Sequence, residues 1–192
     1  MANHRTLLSD AGGEFRALED ILPPGDRLRL LIVGKTPSPK AVERGHYLRG
    51  QQGQSFWRLM HEYGLLNVYD GEYEDDALPR HGYGITDVVK RPHPPGEEPT
   101  AEEYAEGRAR LEALLDEARP EVLLFVYKGA LDGMRPDIGV KKTTYGLNHA
   151  ASTVMANQVF VAPLPGVGGC TSEQIEREMR FLARTVRPLP TE

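Results

Sequence analysis

The stretch LRLLIVGKTPSP, residues 28–39, decides the fold of this chain. Within it, Leu30–Val33 is a continuous apolar run that stops at Gly34, a pattern typical of a strand buried on both faces of a parallel sheet. A phosphate-binding P-loop is excluded, because that motif requires a glycine five residues before the Gly-Lys-Thr, where Arg29 stands. Pro37 and Pro39 would also prevent a helix from starting directly after the strand. The stretch therefore predicts a buried strand followed by an irregular loop, and not a nucleotide triphosphatase.

Helices and strands alternate along the rest of the chain. Apolar periodicity and cap residues predict helices over Ser55–Tyr63, Thr100–Ala118 and Thr171–Arg184, and further buried strands over Val122–Val126 and Val159–Ala162. Alternation of this kind predicts an α/β fold with three layers, α/β/α. The middle layer would be a central, mainly parallel sheet, and helices would cover both of its faces. Ligands bind such sheets at the carboxyl ends of the strands. The loops expected there are Gly34–Gly53, Asp87–Pro95, Tyr127–Gly129 and Pro163–Cys170.

The length of 192 residues suits one domain, since domains are roughly 100–200 residues long. We expect this domain over residues 19–187, preceded by an N-terminal arm over residues 1–18 that is poorly patterned and can be flexible. No apolar run approaches the roughly 20 residues that span a bilayer, and the charged segment before Asp20 is unlike a signal peptide. We therefore expect a cytoplasmic protein. We also expect it to be a monomer.

The charge pattern leaves nucleic-acid binding open. A net charge of −5 argues against a general coating of a polyanion. Basic residues nevertheless gather between Lys35 and Arg58, and acidic residues at Asp70–Asp76 and Glu97–Glu117, which permits either one positive face or merely an uneven solvated surface. A single cysteine, Cys170, excludes an internal disulfide, a four-cysteine zinc site and a cysteine-held iron–sulfur cluster.

Four motifs follow one another in a characteristic order. They are Leu30–Pro39 (LLIVGKTPSP), Gly45-His46-Tyr47, Gln54–Trp57 continuing to Gly64-Leu65, and Gly82–Pro92 (GYGITDVVKRP). In this order they resemble the family of mismatch-specific uracil-DNA glycosylases and thymine-DNA glycosylases, and Pro163–Cys170 stands where that family places its DNA-inserting loop. The resemblance extends from about Glu19 to Phe181.

The resemblance implies a uracil-DNA glycosylase-like fold and a role in DNA repair. Such an enzyme flips uracil out of DNA, at a G:U mismatch or in a single strand, because the glycosidic bond cannot be reached inside the duplex. It hydrolyses that bond and leaves an abasic site. The chemistry requires an acceptor that holds the attacking water, and donors that stabilise the departing base. It requires no metal or diffusible cofactor.

Asp87 and Thr36 are the candidate catalytic residues. Asp87 lies in an apolar stretch, where a lone carboxylate would be costly, so it is either the group that holds the water or a capping aspartate at a strand end. Thr36 stands where many mismatch-specific members place an asparagine. A hydroxyl is a poorer acceptor than an amide or a carboxylate, so this departure either moves the work to Asp87 or indicates an inactive or altered enzyme.

The resemblance also assigns the base pocket. The loop after the first strand is expected to bind the base, through Gly34, Lys35, Pro37 and Ser38. Tyr47 is expected to stack on the flipped pyrimidine. It could instead be a packed loop anchor, or His46 or Arg49 could make the contact.

DNA contacts outside the pocket are expected from basic residues and from one glycine-rich loop. The basic residues are Lys40, Arg44, Arg49, Lys90 and Arg91. The loop Gly166-Val167-Gly168-Gly169 would enter the minor groove with Val167 as an apolar wedge, or it is a flexible connector. Two other functions remain open, a non-catalytic binder of damaged or abasic DNA on the same fold, and an interaction protein without a DNA role.

Overall fold

The structure is a computed structural model that describes residues 2–10, 12–25, 28–138, 143–166 and 170–186, with the backbone alone at 135–138. Its strands are β1 (Arg5–Asp10), β2 (Gly13–Leu18), β3 (Leu30–Gly34), β4 (Tyr83–Asp87), β5 (Val122–Phe125), β6 (Gly146–Leu147) and β7 (Gln158–Val161). Its α-helices are α1 (Pro39–Arg44), α2 (Gln51–Glu62), α3 (Glu74–Ala77), α4 (Ala101–Ala118), α5 (Lys128–Ile138), α6 (His149–Met155) and α7 (Ser172–Thr185). A short 3-10 helix covers Pro79–His81.

A five-stranded sheet in the order β4-β3-β5-β7-β6 forms the middle layer. Strands β4, β3, β5 and β7 are parallel, and β6 pairs antiparallel with β7 at one edge. Leu30 and Ile32 of β3 pack with α2 and α7 on one face, whereas Leu31 and Val33 pack with α4, α5 and α6 on the other. The predicted three-layer α/β/α fold is confirmed, because β3 is covered on both faces as its apolar run requires.

The helix boundaries follow from the caps. At the start of α4, the Thr100 hydroxyl accepts from the Glu103 backbone N–H, and the Glu103 carboxylate accepts from the Thr100 backbone N–H, which is the predicted capping box. Helix α2 begins at Gln51, four residues before the predicted Ser55. Its first turn is polar and exposed at Gln51 and Gln52, so apolar periodicity carried no signal there.

The segment predicted as an N-terminal arm contains an antiparallel hairpin of β1 and β2, paired from Arg5 with Leu18 to Asp10 with Gly13. Ala17 and Leu18 are fully buried against the domain. Gly12 lies in the turn and Gly13 begins β2 with a φ of +96°, a conformation that suits glycine; this glycine pair is the signal that the sequence offered. The boundary between residues 18 and 19 stays a prediction. Within the described ranges, the helices are all too short or too polar to cross a membrane.

Candidate active site

A cavity of about 760 Å³ opens at the carboxyl end of the parallel strands, a size typical of a small-molecule or nucleobase site. It lies where the loops after β3, β4, β5 and β7 meet, as expected for a sheet of this kind. The predicted site residues that line it are Lys35, Thr36, Pro37, Ser38, Tyr47, Arg49 and Asp87.

Asp87 and Gly34 are register partners at the ends of β4 and β3. A Cβ atom on Gly34 would lie 2.0 Å from Oδ1 of Asp87, a distance that no real Cβ atom tolerates. Gly34 was predicted to bind the base, but it does not line the cavity. Its missing side chain makes room for the Asp87 carboxyl group instead.

The Asp87 carboxyl group is buried, with 2% of the residue exposed. Its Oδ2 accepts no hydrogen bond from any described residue. Burial raises the pKa of Asp87 to about 7, with a further contribution from the charge of Asp20, while Lys90 and Arg110 act in the opposite direction. The group therefore changes protonation state near neutral pH, where a general base is most effective.

A polar network lies behind Asp87 and is centred on Asp20. Oδ1 of Asp20 accepts from Nζ of Lys90 at 2.6 Å and from the Thr86 hydroxyl at 2.5 Å, and its Oδ2 accepts from Nη1 of Arg110 at 2.8 Å. Burial would raise the pKa of Asp20, but the charges of Lys90 and Arg110 outweigh it and hold that pKa below its usual value. Arg110 also donates to the backbone carbonyl of Asp87, and this bond fixes the end of β4.

Lys90 was predicted to contact DNA phosphates, and this assignment is corrected by its burial. The residue is 9% exposed, and Nζ donates to Asp20 and, at 3.0 Å, to the Tyr47 hydroxyl oxygen. An ammonium group that is buried and hydrogen-bonded in this way supplies positive potential to the interior.

Tyr47 forms part of the cavity wall, and two hydrogen bonds hold it in place. Its hydroxyl donates to the carbonyl of Glu19 at 2.7 Å, and its backbone N–H donates to Oδ2 of Asp75 at 2.7 Å. Burial raises the pKa of Tyr47 well above its usual value, so the phenol stays neutral. Its position in the lining is compatible with both interpretations of the sequence, and stacking on a base stays a prediction.

Thr36 and Ser38 use their hydroxyl groups locally. The Thr36 hydroxyl donates to the carbonyl of Arg91 at 2.5 Å, which leaves only oxygen lone pairs for a water molecule. The Ser38 hydroxyl accepts from the backbone N–H of Ala41 at 3.2 Å and caps α1. Nζ of Lys35 lies 2.6 Å from Oε1 of Glu98. These contacts of the side chains fix the shape of the loop.

The predicted DNA-binding residues lie in different environments. Nη1 of Arg49 lies 2.6 Å from Oε2 of Glu74, and Arg91 pairs with Asp10 of the hairpin. Lys40 and Arg44 are exposed on α1. Gly166 is exposed, and its φ of +74° suits glycine. Val167, Gly168 and Gly169 lie outside the described residues.

Three residues of the site were not found from the sequence. Asp20 and Arg110 belong to the network behind Asp87, and Tyr127 lines the cavity. Burial, assisted by the charge of Asp87, raises the pKa of Tyr127 to about 12. Arg110 lies on a charged helix far along the chain from Asp20, and no local pattern marks such a pair. Tyr127 directly follows the predicted strand, and its place at the strand end was the available signal.

Comparison with known proteins shows which family the chain is similar to. Residues 22–186 match the family model described as the uracil DNA glycosylase superfamily. The G/U mismatch-specific uracil DNA glycosylase of Schizosaccharomyces pombe is 32% identical over 98 residues, which is 50% of this chain and 30% of that relative. The matched region is thus less than a third of the relative's length.

Proposed function

Because the chain belongs to the uracil DNA glycosylase superfamily, we propose that it excises uracil from DNA, at a G:U mismatch or in a single strand. Membership of the family supports a DNA repair glycosylase, a hydrolase of N-glycosyl bonds. The observation that carries the finer proposal is the buried carboxyl group of Asp87 in the wall of the cavity, with a pKa of about 7.

Asp87 would act on a water molecule held between its carboxylate and C1′ of the flipped nucleotide. The bond between C1′ and N1 breaks, and its electron pair leaves with uracil. The water oxygen then bonds to C1′ and one water proton passes to Asp87. Asp87 afterwards releases this proton to solvent, and the departing uracil anion takes up a proton from solvent. The carboxylate charge also stabilises the positive charge that develops on the sugar. The products are free uracil and an abasic site, and the reaction is monofunctional because water is the attacking group.

Lys90 and Arg110 would act through Asp87. The charge of Lys90 favours the ionised carboxylate, and without such a charge burial alone would hold Asp87 in its protonated form up to a higher pH. Arg110 fixes the backbone of Asp87 through its carbonyl. We therefore assign Lys90 and Arg110 as positioning residues. Thr36 would be a secondary acceptor for the water.

The base would occupy the cavity between the loop after β3 and Tyr47. The loop is held in place by its neighbour after β4, since backbone N–H groups of Val88 and Val89 donate to the carbonyls of Gly34 and Lys35, each at 2.9 Å. A fixed backbone of this kind can offer preorganised donors to the uracil oxygens. The Tyr47 ring would lie against the plane of the base.

DNA would approach the face that carries α1. Lys40 and Arg44 are exposed there, and Ser38, at the N-terminus of the same helix, lines the cavity. Gly166 and the glycines that follow it would contact the strand that loses the flipped nucleotide. The acidic net charge of −5 makes this local positive surface necessary for phosphate binding.

A uracil-release assay tests the proposal. Oligonucleotides that carry one uracil in a single strand, opposite G or opposite A are incubated with enzyme and cleaved with alkali at abasic sites. We expect cleavage by the wild type, a loss of about 10²–10⁴-fold in Asp87→Asn and a smaller loss in Thr36→Ala. Asp116→Asn, which changes an exposed residue of α4, is the matched control and should retain full activity.

The same experiment separates the alternative, a non-catalytic binder of damaged or abasic DNA. That protein would bind uracil or abasic DNA in a salt-dependent way and yield no alkali-labile site. Full activity in Asp87→Asn would remove Asp87 from the mechanism even if uracil is released.

A further inference from the structure

We propose that His4, His46, Asp75 and Asp76 form a site for a divalent cation of the zinc type, apart from the cavity that contains Asp87. Each residue offers one ligand atom, and the four atoms all lie within 4.8 Å of one another. We call these four residues the His–Asp cluster. The proposed uracil chemistry needs no metal, so this site would be structural.

The donor set suits zinc. Two imidazole nitrogens and two carboxylate oxygens are ligands that Zn²⁺ binds in tetrahedral geometry, at about 2.0–2.2 Å. Nε2 of His4 lies 2.7 Å from Oδ1 of Asp76, and Nδ1 of His46 lies 3.0 Å from Oδ1 of Asp75. Tetrahedral ligands at those bond lengths are roughly 3.3 Å apart. Small rotations of these side chains would therefore create the coordination geometry.

The cluster is buried, which distinguishes it from acidic groups scattered on a surface. His4, His46 and Asp75 are 8%, 3% and 1% exposed, and the side chain of Asp76 is 13% exposed. Asp75 is buried and Asp76 is partly buried, and their ligand oxygens lie within 4.8 Å of each other, so the two carboxylates repel each other unless positive charge or a proton offsets them. A divalent cation would neutralise both charges and would satisfy both imidazoles.

Partners outside the cluster already orient the ligands. Nδ1 of His4 lies 3.3 Å from Oε1 of Glu19, an arrangement that directs Nε2 into the cluster. Oδ2 of Asp75 accepts from the backbone N–H of Tyr47, which directs Oδ1 inward. The His46 ring stacks on Tyr73 with a centroid distance of 3.7 Å. Metal sites typically have outer hydrogen bonds of this kind, which fix the tautomer and the ring orientation.

A second cavity of about 590 Å³ leads to the cluster. It is lined by His4, Asp75 and Asp76, and by the exposed Asp70. Negative charge along a cleft raises the local concentration of cations, so this cavity is a suitable route of entry.

Binding of the cation would join three distant parts of the chain. His4 directly precedes β1, His46 directly precedes Tyr47, and Asp75 and Asp76 lie on α3. A bound cation would therefore attach the hairpin to the domain and fix the backbone of the cavity wall at Tyr47.

Co²⁺ and Zn²⁺ binding to the untagged chain of 192 residues tests the proposal. Tetrahedral Co²⁺ gives intense visible absorption, so titration should yield these bands at one ion per chain, and Zn²⁺ should abolish them. Zinc at about 100 times its dissociation constant should raise Tm by roughly 5–10 °C. His4→Gln/His46→Gln should lose the bands and the Tm shift, whereas His61→Gln, an exposed change on α2, should retain both.

Asp76→Asn is a second variant that keeps the side-chain volume. We expect it to weaken Co²⁺ binding at least tenfold with an unchanged circular dichroism spectrum. The proposal is overturned if the wild type takes up no Co²⁺, or if the double histidine variant, folded by the same spectrum, binds as much Co²⁺ as the wild type. In either case the His–Asp cluster is held together by its hydrogen bonds without a metal ion.

Discussion

Ionisation of the Asp87 carboxyl group costs the folded protein free energy. Its pKa is about 7 because of burial, whereas an unfolded aspartate has a pKa of about 3.9. Between these values the folded state binds a proton that the unfolded state does not. The free energy of unfolding therefore falls as pH rises from about 4 to about 7, and the loss persists above pH 7.

Asp87→Asn should remove that loss. The variant is expected to be more stable than the wild type at about pH 8, by up to about 4 kcal/mol, and to lose most of this advantage near pH 4. Thermal unfolding across pH measures the difference in Tm between the two proteins. A difference that is constant from pH 4 to pH 8 would contradict the raised pKa.

Lys90→Met should raise the pKa of Asp87 further, since it removes the largest charge that favours the carboxylate. We expect the pH at which uracil release is half-maximal to move upward by about one unit, with the maximal rate reached only in more alkaline buffer. Arg180→Met, at an exposed site on α7, is the control and should leave the midpoint in place. An unchanged midpoint in folded Lys90→Met would show that Lys90 does not act on Asp87.

At the scale of elements, α4 lies close enough to the end of β4 for Arg110 to reach Asp87. The approach is possible because Gly107 faces the carbonyl of Val88, and a Cβ atom at Gly107 would lie 2.3 Å from that oxygen. Sequence periodicity and the capping box predicted α4 itself. They did not predict this contact, because a glycine within a charged helix gives no indication of which backbone it meets.

Gly107→Ala should separate α4 from β4. We expect a loss of about 1–3 kcal/mol in the free energy of unfolding and a slower uracil release, because Arg110 is displaced. Gly129→Ala is the matched helical control, since its nearest contact would be an ordinary 3.5 Å to Lys35, and it should be neutral or slightly stabilising. Chemical denaturation of both variants checks this, and equal stabilities would contradict the close approach.

Helix α1 should carry the phosphate contacts. Each of Lys40→Gln and Arg44→Gln is expected to weaken binding of uracil-containing DNA, and to reduce the slope of log affinity against log salt by about one. Their folding should be unaffected, because both side chains are exposed. A salt series of binding measurements that yields the wild-type slope for both variants would move the DNA interface elsewhere.

At the scale of the whole molecule, the sequence predicted what local patterns encode. The apolar run before Gly34 indicated a central strand, and the alternation of strands and helices along the chain indicated a parallel sheet. Asp87 was selected because a carboxylate in an apolar stretch is unusual and because the resemblance favoured a catalytic role; its side chain lines the cavity, and the role itself stays a prediction. Asp20 and Arg110 were missed, since they meet across many intervening residues. The hairpin was missed because its sequence does not alternate clearly between apolar and polar residues. Leu7, for example, is apolar but 60% exposed.

The central claim is that one buried carboxylate activates the water. Its most direct test is the single-turnover rate of uracil release from a G:U duplex, measured from about pH 5 to pH 9 for the wild type and Asp87→Asn. We predict a wild-type rate that rises with pH to a plateau above about pH 7, as Asp87 loses its proton, and a variant rate at least 100-fold lower without that rise. A variant that releases uracil at the wild-type rate, with the same dependence on pH, would contradict the account.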